Sequence, residues 1–299
     1  MIQRNWDSKN IPDQTGRTVI VTGANSGIGF ETARALASKN AGVILACRNQ
    51  NKGSAAVDKI RQDLPHADVR FLPLDLSDLV SVKNFADQVN QDYSRLDLLI
   101  NNAGVMIPPY GKTAEGFELQ MGTNHLGHFA LTGQLIEMIR STPESRVVSV
   151  SSMAHKGGNI DFSDLHWEHR KYKPWKAYGD SKVANLYFIF GLANRLAAGG
   201  SHVITAASHP GWTATELQRN SGLASFFNPV FAQDTAMGAL PTLYAACGPD
   251  VQSKDYFGPG GRFEVKGYPK QVRASSRSQN KEIGDRLWQM SEKLTGVQF

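Results

Sequence analysis

Cysteine is scarce in this sequence: two in 299 residues, Cys47 and Cys247, far apart and in no Cys-x-x-Cys pattern. That argues against a disulfide framework and against a zinc ribbon or finger. His166 and His169 have a ligand-like spacing but no third partner, so no metal site is expected. No apolar run approaches the ~20 residues of a membrane-crossing helix. The polar start, with Arg4, Asp7, Lys9 and Asp13, contains no signal-peptide core. A soluble protein of a reducing compartment, the cytoplasm, is expected. A large excess of either charge is also lacking, 32 basic against 27 acidic residues giving +5. The excess is spread out, whereas nucleic-acid binding needs a clustered basic stripe, so no nucleic-acid partner is expected. There is no linker, repeat or low-complexity tract, and 41% hydrophobic content suffices for one sizeable core. A single domain over residues 1–299 is predicted.

What is present is an alternation of short β-branched runs with longer segments of helical period. Strands are predicted at Thr18–Val21, Val43–Ala46, Val69–Leu74, Leu96–Ile100, Arg146–Val150 and Val203–Ala206. Helices are predicted near Ile28–Lys39, Gly53–Arg61 and Leu79–Val89. Continuously apolar strands joined by helices imply an α/β fold, a Rossmann-type doubly wound parallel sheet, with ligands collecting at the strand C-termini.

The candidate residues fall at those ends. Gly23, Gly27 and Gly29 follow the first strand and open the first helix, with Asn25, Ser26 and Ile28 between them. Glycines let the backbone approach a pyrophosphate, and helix N-terminal amides face the anion. After the second strand stands Arg48, where an NAD site uses a carboxylate for the ribose hydroxyl; a guanidinium there favours NADP(H). Asp75 and Leu76 close the third strand. Asp75 has two readings, a partner for the adenine amino group or a helix cap, and Ser77 or Asp78 suits the cap better. Asn101, Asn102, Ala103 and Gly104 close the fourth, with Asn101 expected to tie neighbouring strands and Ala103 and Gly104 to leave room for ribose. Tyr178 and Lys182 are spaced i, i+4, one face of a helix. An ammonium held there lowers the cost of phenolate, bringing a tyrosine with an ordinary pKa of about 10 toward neutral-pH proton transfer.

TGANSGIG, Asp75-Leu76, NNAG, Asn124, Ser151-Ser152, Tyr178-x-x-x-Lys182 and His209-Pro210-Gly211 occur in the order found in the short-chain dehydrogenases/reductases, which this chain resembles from Arg17 to Gly211. The Asn124–Phe129 stretch, Ala-Cys-Arg and Ser-Lys-Val-Ala-Asn look like the retinol-dehydrogenase-like branch. They also resemble the light-dependent protochlorophyllide oxidoreductases, although the chain keeps NNAG and a Ser-Ser pair where those enzymes depart from both. The resemblance implies that Tyr178 is the general acid or base and that Lys182 lowers its pKa and holds the nicotinamide ribose. It further implies that Ser152 holds the substrate oxygen, that Asn124 anchors a water in a proton relay, and that Pro210, Gly211 and Thr213 flank the carboxamide. Strand alternation favours Ser152 over Ser151.

Two segments are expected to wall a pocket for a large apolar carbonyl compound or alcohol, such as a retinoid, steroid or lipid aldehyde. They are 153–176, with Phe162, Leu165, Trp167, Tyr172 and Trp175, and 212–231, with Trp212, Leu217, Leu223, Phe226, Phe227 and Phe231. The alternative is that these aromatics pack against their own loops. The competing functions are a photoreductase and a non-catalytic NADP(H) sensor. A homo-oligomer is possible through the helices before the fifth strand and around Tyr178.

Overall fold

The structure is a computed structural model that describes residues 5–213 and 233–299. Its strands are β1 Thr18–Thr22, β2 Gly42–Cys47, β3 Val69–Pro73, β4 Leu98–Asn101, β5 Arg146–Val150, β6 Ile204–Ser208, β7 Tyr256–Pro259 and β8 Pro269–Gln271. They form one sheet in the order β3-β2-β1-β4-β5-β6-β7-β8. All neighbouring pairs are parallel except β7–β8, where Gly258 faces Lys270 antiparallel. The expected doubly wound α/β sheet is therefore present, with an antiparallel rim that the predicted strands did not include. The helices that flank it are α1 Gly27–Ala37, α2 Gln50–Asp63, α3 Leu79–Asp92, α4 Gly127–Ser141, α5 Pro174–Ala198, α6 Thr235–Cys247 and α7 Lys281–Thr295.

Alternation along each strand builds two cores, one per face. Val19, Val21, Val43 and Leu45 face α1, α2 and α6, meeting Leu36, Ile60 and Leu243. Ile20, Ile44 and Leu99 face α3, α4 and α5, meeting Phe85, Phe129 and Leu192. Each fully buried side chain of this kind contributes about 1.5–3 kcal/mol from apolar burial. Helix α7 lies across α4 and α5, where Trp288 stacks on Phe188 and meets Phe129 edge-on. The apolar faces considered for an oligomer contact thus carry α7.

Ahead of α4, a short helical turn at Leu119–Met121 runs into a π-turn at Gly122–Leu126. Its extra residue shifts the chain, and Asn124 sits in its middle. The parallel crossovers bring the C-termini of β1 to β7 to one edge, where this turn also lies and the site is built.

Candidate active site

The first strand ends in a turn with positive φ at Gly23 (67°) and Gly27 (59°). A Cβ on Gly23 would lie 2.9 Å from Ala103 Cα, so this turn and the NNAG segment fit only without one. Ser26 caps α1 without a side-chain bond, and no acidic residue stands in the first turn, so the amides there are available to an anion. The cleft in front of them, about 330 Å³, is lined by all of Gly23, Asn25, Ser26, Gly27, Ile28, Gly29, Arg48, Asp75, Leu76, Asn102, Ala103, Gly104, Tyr178, Lys182 and Pro210. The Thr123 hydroxyl borders the same cleft, buried and without a hydrogen-bond partner. A cradle of glycines, free helix amides and an unspent buried hydroxyl suit a dinucleotide.

Arg48 is 71% exposed at the mouth, its Nε 3.8 Å from Asp75 Oδ2. Asp75 turns its other oxygen inward, accepting from the Ser77 amide at 2.9 Å and the Ser77 hydroxyl at 2.6 Å. The cap of α3 is Asp78, whose carboxylate accepts from the Val80 and Ser81 amides. Of the NNAG asparagines, Asn102 ties the strands, its Nδ2 donating to Thr22 O at 2.8 Å. Asn101 instead donates to Thr132 on α4, which corrects the expected strand tie: its side chain points into the helix layer.

Tyr178 and Lys182 lie on α5, both buried. Ser152 lines a common cavity wall with Tyr178 and its Oγ accepts from the Ala154 amide at 3.2 Å, whereas Ser151 donates to the Lys182 carbonyl at 2.8 Å from a buried position. Lys182 Nζ donates to Val150 O at 3.1 Å and lies 5.7 Å from the Tyr178 ring centroid. Burial pushes the Tyr178 hydroxyl up to about 12, with the Ser152 hydroxyl opposing, and pushes Lys182 down to about 8. In the chain by itself desolvation therefore outweighs the attraction expected to lower Tyr178, because both groups lose their hydration shells.

Asn124 makes three amide hydrogen bonds to protein. Its Oδ1 accepts from the Val105 amide at 2.7 Å, and Nδ2 donates to Val105 O at 3.0 Å and Ser181 Oγ at 2.9 Å. Its backbone carbonyl meets His128 Nδ1 at 3.0 Å. That bond needs a proton on Nδ1, so Nε2 accepts from Thr22 Oγ1 at 2.9 Å. Thr22 Oγ1 in turn accepts from the Asn102 and Ala103 amides, both at 2.9 Å. A chain of bonds thus fixes the π-turn to the NNAG loop. Thr22 and His128 were not among the expected site residues. Their signal lay in side chains meeting across 106 positions.

A second cavity of about 460 Å³ adjoins the first, sharing Ile28, Ser151, Tyr178 and Pro210. Ser152, Gly211, Trp212 and Thr213 line it, as do Met106, Met153, Ala154 and Trp175. The other aromatics of 153–176 pack elsewhere. Phe162 and Leu165 join a cluster with Met121, Tyr187 and Leu287, and Arg170 stacks on Trp167 at 3.7 Å. Only Trp175 among those five reaches this cavity, because the loop buries its own apolar side chains first. Leu217, Leu223, Phe226, Phe227 and Phe231 lie outside the described residues. No group of three metal-ligating side chains occurs among the described residues. A groove of about 540 Å³ between α5, α7 and β7–β8 contains none of the expected site residues.

The model of the short chain dehydrogenase family matches residues 17–224. The chain is 43% identical over 290 residues to retinol dehydrogenase 12 from Mus musculus, covering 95% of this chain and 88% of that protein. It is 39% identical over 295 residues to retinol dehydrogenase 13 from Homo sapiens, covering 95% and 86%. A crystal structure of an uncharacterized protein from Mycobacterium paratuberculosis matches at TM-score 0.85 and 43% identity over 99% of both chains. Salutaridine reductase from Papaver somniferum, at 24% identity and TM-score 0.64 over 79% and 98%, shares the fold. Family membership implies a nicotinamide cofactor and a small-molecule substrate, and no helix among the described residues is long and apolar enough to cross a membrane. With its matched length, sheet order and cleft, this chain belongs to the short-chain dehydrogenase family as an oxidoreductase related to the retinol dehydrogenases.

Proposed function

We propose that the protein is an NADP(H)-dependent oxidoreductase that interconverts a large apolar carbonyl compound and its alcohol. The observation that carries this reading is the place of Tyr178, on the wall common to the nucleotide cleft and the apolar cavity. When bound, the nicotinamide group exchanges a hydride with the substrate carbon. The chain's own part is to bind, orient and move the proton. At pH 7 Tyr178 keeps its proton and Lys182 its charge, so the phenol is poised to donate to a carbonyl oxygen held by Ser152. Lys182, fixed by Val150, presents its ammonium to the ribose and offsets the negative charge that grows on Tyr178. Pro210, Gly211 and Thr213 hold the carboxamide side. Asn124 fixes Val105 and the π-turn beside Lys182, and the second lone pair of its Oδ1 is the acceptor it would offer a relay water.

Arg48 supports the cofactor choice: it is an exposed guanidinium at the rim, suited to a 2′-phosphate. Ile28, Met106, Met153, Ala154 and Trp175 make the second cavity apolar, with Ser152 and Tyr178 as its convergent polar groups. The test is a screen of retinoid, steroid and lipid aldehydes and ketones with NADPH and with NADH. Tyr178→Phe should lower kcat on the order of 100-fold or more with NADPH binding retained. Arg48→Ala should raise the NADPH KM about tenfold and leave NADH unaffected. Equal use of both cofactors by the wild type ends the NADP(H) assignment; normal kcat in Tyr178→Phe ends the mechanism. Turnover only in light would establish a photoreductase.

A further inference from the structure

Two backbone segments border the apolar cavity beside Tyr178, 153–157 and 210–213, and one carboxylate from a third segment outside the cavity ties to both. Glu264 Oε2 lies 3.0 Å from His209 Nε2 and 3.7 Å from Lys156 Nζ. His209 opens the His-Pro-Gly-Trp-Thr stretch that follows β6, and Lys156 sits on the 3-10 turn Met153–Gly157 that follows Ser152. Glu264 itself comes from the loop after β7.

The bond to His209 has a defined direction. The Gly211 amide donates to His209 Nδ1 at 3.2 Å, so the ring proton is on Nε2 and is donated to Glu264. His209 is fully buried, and Gly258 makes its place: a Cβ there would stand 2.1 Å from Nε2. The hydrogen bond from His209 holds the Glu264 carboxyl below the usual carboxylate range. Backbone contacts run in parallel. The Trp212 amide donates to Val265 O at 2.8 Å, and a Cβ on Gly211 would lie 2.3 Å from that same oxygen. Gly211 (φ 67°) therefore has no room for a side chain.

The loop that delivers Glu264 is strained. Phe263 (φ 57°) and Glu264 (φ 58°) are consecutive non-glycine residues in the left-handed region, and Phe263 is 74% exposed. Such geometry persists where surrounding contacts over-determine it. Phe263 makes no burial that would offset it, so the contacts of Glu264 and Val265 do.

We infer that Glu264 is a positioning residue: through the His209 ring it clamps the Pro210–Thr213 wall, and through Lys156 it ties in the turn behind Ser152. This deepens the proposed function, resting on the reading of that wall as the carboxamide and substrate side. In Glu264→Gln the amide oxygen still accepts from Nε2, so the clamp persists; in Glu264→Ala it is lost.

Hydrogen exchange on the protein without ligand tests the clamp independently of any activity. The Gly211 and Trp212 amides should exchange at least fivefold faster in Glu264→Ala and within twofold of wild type in Glu264→Gln. Unchanged exchange in Glu264→Ala overturns the inference, whatever the enzyme assays give. In steady-state assays Glu264→Ala should raise KM about tenfold with kcat within threefold, and the loss in His209→Ala/Glu264→Ala should fall well short of the product of the two single losses. Losses that multiply would mean that Glu264 does not act through His209, and would also overturn it. Inactivity of the wild type toward every carbonyl tested would count against the proposed function and leave the exchange result to decide the clamp.

Discussion

Lys182 is an ammonium held away from water, and its proton equilibrium puts a number on that. Its folded pKa of about 8 lies below the ordinary lysine value of about 10.4. Below pH 8 the folded chain carries the full cost of the buried charge, on the order of 3 kcal/mol. Between about 8 and 10.4 the unfolded chain binds more protons, so stability from this group rises with pH. Lys182→Met should therefore melt higher than the wild type at pH 7, by about 2 kcal/mol of stability, while turnover is lost. The gain should shrink as pH rises through 8 toward 10. Val150 O keeps a donor in the variant, because Asn185 Nδ2 also reaches it at 3.1 Å. Thermal unfolding at pH 7 and pH 10 checks this, and a variant less stable at pH 7 would refute it. The cost falls on the residue proposed to steady Tyr178 and the ribose, so stability is given up where chemistry needs charge.

At the scale of elements, α4 meets the end of β3 through one glycine. A Cβ on Gly127 would stand 2.4 Å from Leu76 O and 3.1 Å from its carbonyl carbon, both backbone. Alanine normally favours a helix by about 1 kcal/mol over glycine. Here overpacking should win, costing about 2 kcal/mol net. Because Leu76 lines the nucleotide cleft, Gly127→Ala should also weaken NADPH binding several-fold, read by chemical denaturation and fluorescence titration. The elements differ in how far their sequences announce them. The strands β1 to β6 were legible as short, mostly apolar runs, buried on both faces except at the rim strand β3. β7 and β8 were not, because Tyr256-Phe257-Gly258-Pro259 and Pro269-Lys270-Gln271 are short and broken by glycine and proline. The π-turn was hidden too: Asn124 takes its partners from Val105 and Ser181, 19 and 57 positions away. The glycine turn, Arg48, NNAG and Tyr178-x-x-x-Lys182 could be placed at strand ends from sequence because each is local. Which way the aromatics of 153–176 turn depends on a cluster shared with Met121 and Leu287, and no local pattern encodes it.

Burial depresses three imidazoles of the molecule, and its acid limit follows from them. Burial lowers His125 to about 3 and His128 and His155 each to about 4. His125 Nε2 meets Ser291 Oγ at 2.8 Å, and Nδ1 has no partner among the described residues, so a second proton would find no acceptor. In the unfolded chain all three titrate near 6.5. As pH falls from 6.5 toward 4 the unfolded state takes up these protons and the folded state does not. Stability should fall at up to ~4 kcal/mol per pH unit through that window. Urea midpoints at pH 7, 6 and 5 should drop progressively, and His125→Gln should lessen the slope by about a third. A flat profile between pH 7 and 5 would contradict the burial of these rings as neutral groups.

The rims of the sheet have their own consequence. At one rim β3 carries Arg70 and Pro73, and at the other β8 carries Pro269 and Lys270. A proline interrupts the ladder of donors, and a cation repels its own copy across any joint. Two molecules meeting rim to rim find neither an unbroken template nor a neutral seam. The open ends of an eight-stranded ribbon are in this way poor templates for adding a further strand from a neighbouring molecule.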